Sequence, residues 1–511
     1  MLRDQVQVLS EQNALQAEQI GKLKDEIAVL KGEKGRPNIK PSSLNCDGGT
    51  ASGGSGQKNR GKPGCKKTHQ LKVHHERTIE PESIPAGAKF KEYENYVVQD
   101  IEIKLSNTRY RRARYELPDG STLIGELPAE VRGSHYGPVL RSYILSQYYQ
   151  QHVPQNLILR QVWEMGVRIS AGQLSQIITA GKEAFHVEKD GILQAGLEVS
   201  SYIQVDDTGA RHQGQNGYCT HIGNELFAWF SSTGSKSRVN FLELLQAGAT
   251  QYVIDDLARQ YMHSQRLPKA ELAFFAQDRV LPDKVSWESH LQNLGLTARF
   301  HRIATEAALT ASLLNNGRFT KLVIMSDDAG QFKLVGFLNA LCWVHAERTI
   351  NKITPFTDEN REAKQLVRDQ IWRFYQDLKA YKSATTEGMK NALFRRFDEI
   401  FTQKTCFQSL NLALTRIYEN KPQLLLVLER PEIPLHNNLS ENDIRDYVKK
   451  RKISATTRSD SGRQARDTML SLKKTCQKLG ISFWDYLYDR ISCKNLIPPL
   501  PQLIRAAAQS P

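Results

Sequence analysis

The chain has 511 residues and a formal net charge of +14, with 69 Lys and Arg set against 55 Asp and Glu. That length exceeds one ordinary domain, and the basic excess favours a polyanionic partner, because neutralised phosphates release counterions. Seven scattered cysteines without a C-x-x-C pair argue against a disulfide framework and a zinc ribbon, and no apolar run approaches the roughly 18 residues of a spanning helix. The expectation is a soluble cytoplasmic protein with no signal peptide and no membrane partner.

Residues 1–32 read as a coiled coil. Val6, Asn13, Ile20 and Ile27 fall at a, and Leu2, Leu9, Gln16, Leu23 and Leu30 at d. Branched residues at a with Leu at d favour a parallel homodimer, in which a lone Asn13 sets register. A single amphipathic helix is the alternative. Residues 33–75 turn to Gly, Ser, Pro and Lys, a flexible basic linker whose Gly35-Arg36-Pro37 and Arg60-Gly61-Lys62-Pro63 resemble minor-groove arms. A solvated tether fits that composition equally.

Residues 76–130 read as a small β module with strands at YENYVVQDIEIKL and RYRRARYEL. Arg111, Arg112 and Arg114 on the second strand suit DNA phosphates or a plain exposed face. Residues 134–190 change to helical period: Pro138 sits near a helix start, Gly166 at a turn and Ser170 at an N-cap. Helix-turn-helix spacing makes Gln173, Ser175 and Gln176 candidate DNA contacts, and a plain helical core is an equal reading.

Residues 198–345 carry an α/β pattern. SYIQVDD is a β-prone run that stops at Asp206 and Asp207, with Thr208 and Gly209 favouring a turn; YCTHIG and ELFAWFSS continue as an antiparallel meander. KLVIMSDD repeats the grammar at Asp327 and Asp328, with a helix expected from about Ala329. Residues 346–432 read as a helical insertion, on the stripe Val367, Ile371, Phe374, Leu378 and Tyr381. Residues 433–455 contain a helix opening at Asn437 and Asn438 and bearing Glu441, Arg445 and Lys449 on one face. Residues 456–511 form a C-terminal helical tail. Two strand-end acids and a helical acid suggest a two-metal site of Asp206, Asp327 and Glu441; a turn-capping Asp and a surface Glu are the plainer alternatives, and Asp207 and Asp328 are close substitutes.

The order of zipper, KPSS linker, β module, YGPVLRSYILSQYYQQHVP, the two strand-end acids, CWVH and NNLSENDIR resembles the insertion-sequence transposases of the sixty-six family over nearly the whole chain. The NN-x-x-E-x-x-x-R pattern, with SGRQARDTMLSLKKTCQKLGISFWDYL after it, carries most of the resemblance. It implies a multidomain α/β protein whose catalytic domain is ribonuclease-H-like with a helical insertion. It also implies Asp206, Asp327 and Glu441 as the DDE acids, Mg²⁺ (or Mn²⁺) as cofactor, DNA ends and target DNA as partners, possible accessory proteins, and a bacterial, nucleoid-associated location. Cys342, Trp343 and His345 are expected at the active-site edge, and a structural histidine is the alternative for His345. The family's cysteine-rich zinc module has no cysteines here, so zinc is not expected. The implied activity is DNA cleavage with joining of 3′-hydroxyl ends to a target. The rivals are a regulator with a decayed catalytic domain and a nuclease without strand transfer.

Overall fold

The computed structural model describes residues 72–85, 87–248 and 251–509. The coiled coil and the linker as far as residue 71 lie outside them. The chain divides into a unit ending at Ile101 and a unit beginning at Glu102. The described residues of the first unit contain no helix or strand.

The strand expected over 93–105 is not formed. Its alternation supplies apolar side chains, but a strand also needs a hydrogen-bonding partner, and no described strand pairs with it. What remains of the expected β module is a short hairpin of β1 (Arg114–Glu116) and β2 (Thr122–Ile124). Asp119 closes its tip by accepting from Ser121 N–H.

Helices α1 (Pro138–Leu145), α2 (Gln155–Glu164), α3 (Ala171–Thr179) and α4 (Glu183–Val199) follow. Pro138 opens α1, where its missing N–H has no cost, and Gly166 ends the α2 turn at φ 86°. Ser170 and Gln173 form a reciprocal capping box at α3.

Strands β3 (Tyr202–His212), β4 (Gln215–Gly223) and β5 (Ala228–Thr233) make an antiparallel meander. β3 does not stop at the acids. Thr208 to His212 stay paired with Gln215 to Cys219, and the turn falls at Gln213 and Gly214, whose φ values of 49° and 79° suit a two-residue hairpin. After α5 (Arg238–Leu245) comes a small α/β segment: β6 (Tyr252–Ile254), α6 (Asp256–Ser264), β7 (Arg279–Leu281), α7 (Lys284–Asn293) and the largely buried α8 (Ala298–Asn315). β8 (Val323–Ser326) and β9 (Leu338–Leu341) then add in parallel on the other side of β3, so the sheet order is β5-β4-β3-β8-β9. No helix starts near Ala329. The Asp327 carboxylate accepts from Ala329 N–H, Asp328 takes φ 76°, and the segment reaches β9 as a loop.

Helices α9 (Trp343–Asn351), α10 (Asp358–Ser383), α11 (Glu387–Thr402) and α12 (Gln408–Glu419) bury Val367, Ile371, Phe374, Leu378 and Tyr381 together with Phe397 and Phe401. Their cluster reaches Val323 and Met325 on one face of β8, while Ile324 joins the main core on the other. Helix α13 (Asn438–Ser454) lies on the sheet, followed by α14 (Asp460–Lys478), α15 (Phe483–Ile491) and α16 (Leu500–Gln509). α14 covers the free edge of β5: Asp467, Ser471 and Thr475, spaced four apart, accept from the N–H groups of Ser232, Phe230 and Ala228 at 2.7, 2.9 and 3.2 Å. That ladder replaces a neighbouring strand and closes the edge. Against it, Gly196 on α4 makes room for Phe227, whose ring would lie 2.5 Å from an added Cβ. Among the described residues no helix is long and apolar enough to cross a membrane.

Candidate active site

The parallel register pairs Tyr202 with Val323 and Gln204 with Met325. Continued by two residues, it sets Asp206, inside β3, level with Asp327, the first residue past the end of the adjacent β8. Glu441 comes from the first turn of α13. Burial, foremost, and the charges of Asp327, Asp207 and Glu441 push the Asp206 carboxyl up to about 7, against a 2.7 Å hydrogen bond from Asp207 N–H. The three expected acids therefore share one electrostatic neighbourhood. They do not meet at ligand distances: among the described residues, no three His, Cys, Asp or Glu side chains converge closely enough to hold an ion as they stand.

Asp207 points to other company. Its Oδ2 accepts from Gln331 at 2.5 Å, and Lys236 opposes the upward push that burial gives its carboxyl. Asp328 pairs with Lys333 and, at 3.6 Å, with Arg416. Glu441 has an inner oxygen, Oε1, that is buried without a hydrogen bond; His345 Nε2 lies 3.7 Å away, and Arg445 is 3.9 Å from Oε2.

Helix α13 is seated on β3 and β4 by Asn437, expected only as the residue that opens the helix, and by Gln204, Ser440 and His221, which the sequence did not single out. Asn437, fully buried, donates from Nδ2 to the Val205 carbonyl at 2.8 Å and from its backbone N–H to Cys342 Sγ at 3.2 Å. Gln204 Oε1 accepts from Ser440 N–H at 3.2 Å. His221, the cross-strand partner of Asp206, meets Ser440 Oγ through Nδ1 at 2.6 Å. Its Nε2 lies 3.2 Å from Asp443 Oδ2. Burial by itself would raise the Asp443 carboxyl, but His221, Lys478 and Lys474 outweigh it and hold it well below the usual range. The available signal was the spacing of Asn437, Ser440 and Asp443 around Glu441, polar residues on the turns that face the sheet.

The C-x-x-H pair divides. His345 borders the acids, and burial together with Arg348, 3.0 Å from Nε2, holds it below the ordinary imidazole range. Cys342 is buried as the acceptor for Asn437. Trp343 does not face the acids: it donates to the Leu424 carbonyl at 3.0 Å and packs on Phe374, Phe397 and Phe401 inside the helical cluster.

The expected DNA contacts lie at several separate places. Arg445 and Lys449 are exposed on α13 beside Glu441. Arg111, Arg112 and Arg114 are exposed around the β1 hairpin, where Arg112 donates to Gly125 O at 2.6 Å. Gln173 and Gln176 are exposed on α3, but Gln173 Oε1 already accepts from Ser170 N–H and the Tyr136 hydroxyl.

The model of the transposase IS66 family matches residues 301–465, a span that includes Asp327, His345 and Glu441 and begins after Asp206. An uncharacterized protein, y4jO of Sinorhizobium fredii (strain NBRC 101917 / NGR234), is 44% identical over 323 residues, 62% of this chain and 100% of the relative. With the resemblance read from the sequence borne out in this way, the chain belongs to the IS66 family of transposases.

Proposed function

We propose that the protein cleaves DNA at the ends of an insertion sequence by metal-dependent phosphodiester hydrolysis and joins the freed 3′-hydroxyl ends to target DNA. The observation that carries this reading is the parallel register of β3 and β8, which continued by two residues brings Asp206 level with Asp327 just past β8, with Glu441 in the first turn of α13 acting on the same Asp206 carboxyl. The sheet order, three antiparallel strands followed by two parallel ones, supports a ribonuclease-H-like domain built from residues 198–345 and 433–455 and interrupted by helices over 346–432. The small β module, the helices over 134–190 and the residues from 456 onward complete the domain scheme.

The donor set suits a hard divalent cation. All three groups are carboxylates, Asp206 is crowded by like charge, and Glu441 has a buried oxygen without a partner. When bound by Asp206, Asp327 and Glu441, Mg²⁺ or Mn²⁺ supplies activation of the attacking oxygen and stabilisation of the departing 3′ oxygen. The chain's own part is positional: β3 and β8 fix two acids at one level, and Asn437, Ser440 and His221 set the helix that brings the third. Arg445 and Lys449, exposed on the same helix, are suited to the phosphates of the bound strand. His345 is suited to ordering the Glu441 carboxylate.

Incubation of the purified protein with a labelled transposon-end duplex and a supercoiled target plasmid tests the reading. The expected products in Mg²⁺ are end-specific nicks and end-to-target joints. Absence of end-specific nicks in both Mg²⁺ and Mn²⁺ would count against it.

A further inference from the structure

Beside Asp327 the loop after β8 and helices α9 and α12 enclose a cleft of about 280 Å³. One wall is a single face of α9: His345, Arg348, Thr349 and Lys352 recur at the three- and four-residue spacing that stacks side chains along a helix. The facing wall presents Arg416 and Asn420 from the end of α12. Arg348 and Lys352 are exposed, and the Arg416 side chain is 69% exposed. None of the three is among the residues expected from the sequence to touch DNA.

Two acids, Asp327 and Asp328, share the cleft with these three cations. Asp328 is held by Lys333 and sits 3.6 Å from Arg416, so it fixes the guanidinium at the cleft rather than leaving free negative charge. Lys333 also reaches Asn420 Oδ1 at 3.4 Å, which ties the loop to α12. Asp328 takes φ 76°, a left-handed conformation that a non-glycine residue keeps where the surroundings over-determine it. Arg348 and Lys352, the residue that caps α9, are about one turn apart, about 6 Å along the helix axis, with Arg416 across from them. The cleft's volume lies near the lower end of small-ligand pockets, about 300 Å³, which favours the slimmer single strand over a duplex.

We propose that this cleft is a phosphate-binding subsite for a single DNA strand leading away from the reacting phosphodiester, gripped by Arg348, Lys352 and Arg416. The subsite deepens the catalytic reading above and rests on it. The helical insertion then has a direct role in substrate binding, since α9 and α12 supply all three cations.

Fluorescence anisotropy in Ca²⁺, with an end duplex that carries a single-stranded extension past the cleavage position, reads binding without turnover. The variant R348Q/K352Q/R416Q should lower the slope of log affinity against log salt by about 2, from roughly 0.7 per lost single-strand phosphate contact. Replacing the extension's phosphates with neutral methylphosphonates should weaken wild-type binding and leave the triple variant nearly unaffected. K379Q/R395Q/K404Q removes equal charge from exposed positions on α10, on α11 and just after α11, outside the cleft lining, and should keep the wild-type slope. A triple variant with the wild-type slope overturns the subsite, as does an equal loss on a blunt duplex. Failure of the wild type to nick in Mg²⁺ would overturn the catalytic reading instead, because the Ca²⁺ measurement does not depend on turnover.

Discussion

Asn437 Nδ2 donates to the carbonyl of Val205, the residue before Asp206, across 2.8 Å. The residue that opens the helix of Glu441 is thereby fastened to the strand that carries Asp206. Asn437→Ala removes a buried donor whose partner cannot reach water, a loss of about 1–3 kcal/mol. The expected result is a lower unfolding midpoint together with a raised Mg²⁺ concentration for half-maximal nicking. A lower midpoint with an unchanged Mg²⁺ titration would reduce Asn437 to a purely structural part.

A second consequence concerns acid. Asp446 on α13 is approached by His152 at 3.2 Å, Lys473 at 2.7 Å and Lys474 at 3.2 Å. Burial alone would raise its carboxyl, but these partners hold it well below the usual carboxylate range. A carboxyl depressed in the folded state adds stability above its unfolded pKa of about 3.9 and loses it as pH falls toward the folded value. Asp446→Asn should therefore destabilise the protein at pH 7 and flatten the stability profile below about pH 4. Parallel profiles for variant and wild type in urea titrations would contradict this.

Trp343 belongs to the aromatic core of the helical insertion. Trp343→Ala should cost about 3–5 kcal/mol, the range for truncating a large buried aromatic. Thermal unfolding checks the size of the loss. A variant of unchanged stability that loses only its Mg²⁺ response would return Trp343 to the active-site edge.

The heptads of residues 2–31 lie outside the described residues and predict a parallel dimer. A variant lacking residues 1–32 should have half the solution mass of the full chain by light scattering. Equal association in both would show that another surface pairs the subunits.

What the sequence disclosed was set by local rules. β-Branched and aromatic runs announced β3, β4, β5 and β8, and the 4-3-4-3 stripe announced α10, because those patterns depend on one face of one element. Partnership was not legible. β3 continues past Gly209 because β4 pairs with it and a turn is available at Gln213 and Gly214. Residues 93–105 alternate as well as any strand yet have no described partner. Asp327 and Asp328 end β8 as expected, but the segment from Ala329 reaches β9 as a loop and not as the expected helix. The seat of α13 was hidden for a related reason: Gln204 and His221 look like ordinary polar residues, and Asn437 like a residue that merely opens a helix, until strand register and helix packing bring them within hydrogen-bonding distance.

The most direct measurement is Mg²⁺-dependent nicking of a labelled transposon-end duplex by Asp206→Asn, Asp327→Asn and Glu441→Gln, with binding followed in Ca²⁺. Each change keeps shape and removes the charge that would hold the ion, so each should reduce nicking to near background while end binding survives. Asp207→Asn and Asp328→Asn should lose far less, since Asp207 is engaged by Gln331 and Asp328 by Lys333 and Arg416. Robust nicking by the Glu441→Gln protein would contradict the three-carboxylate site, and loss confined to Asp207→Asn and Asp328→Asn would move the first two acids by one residue.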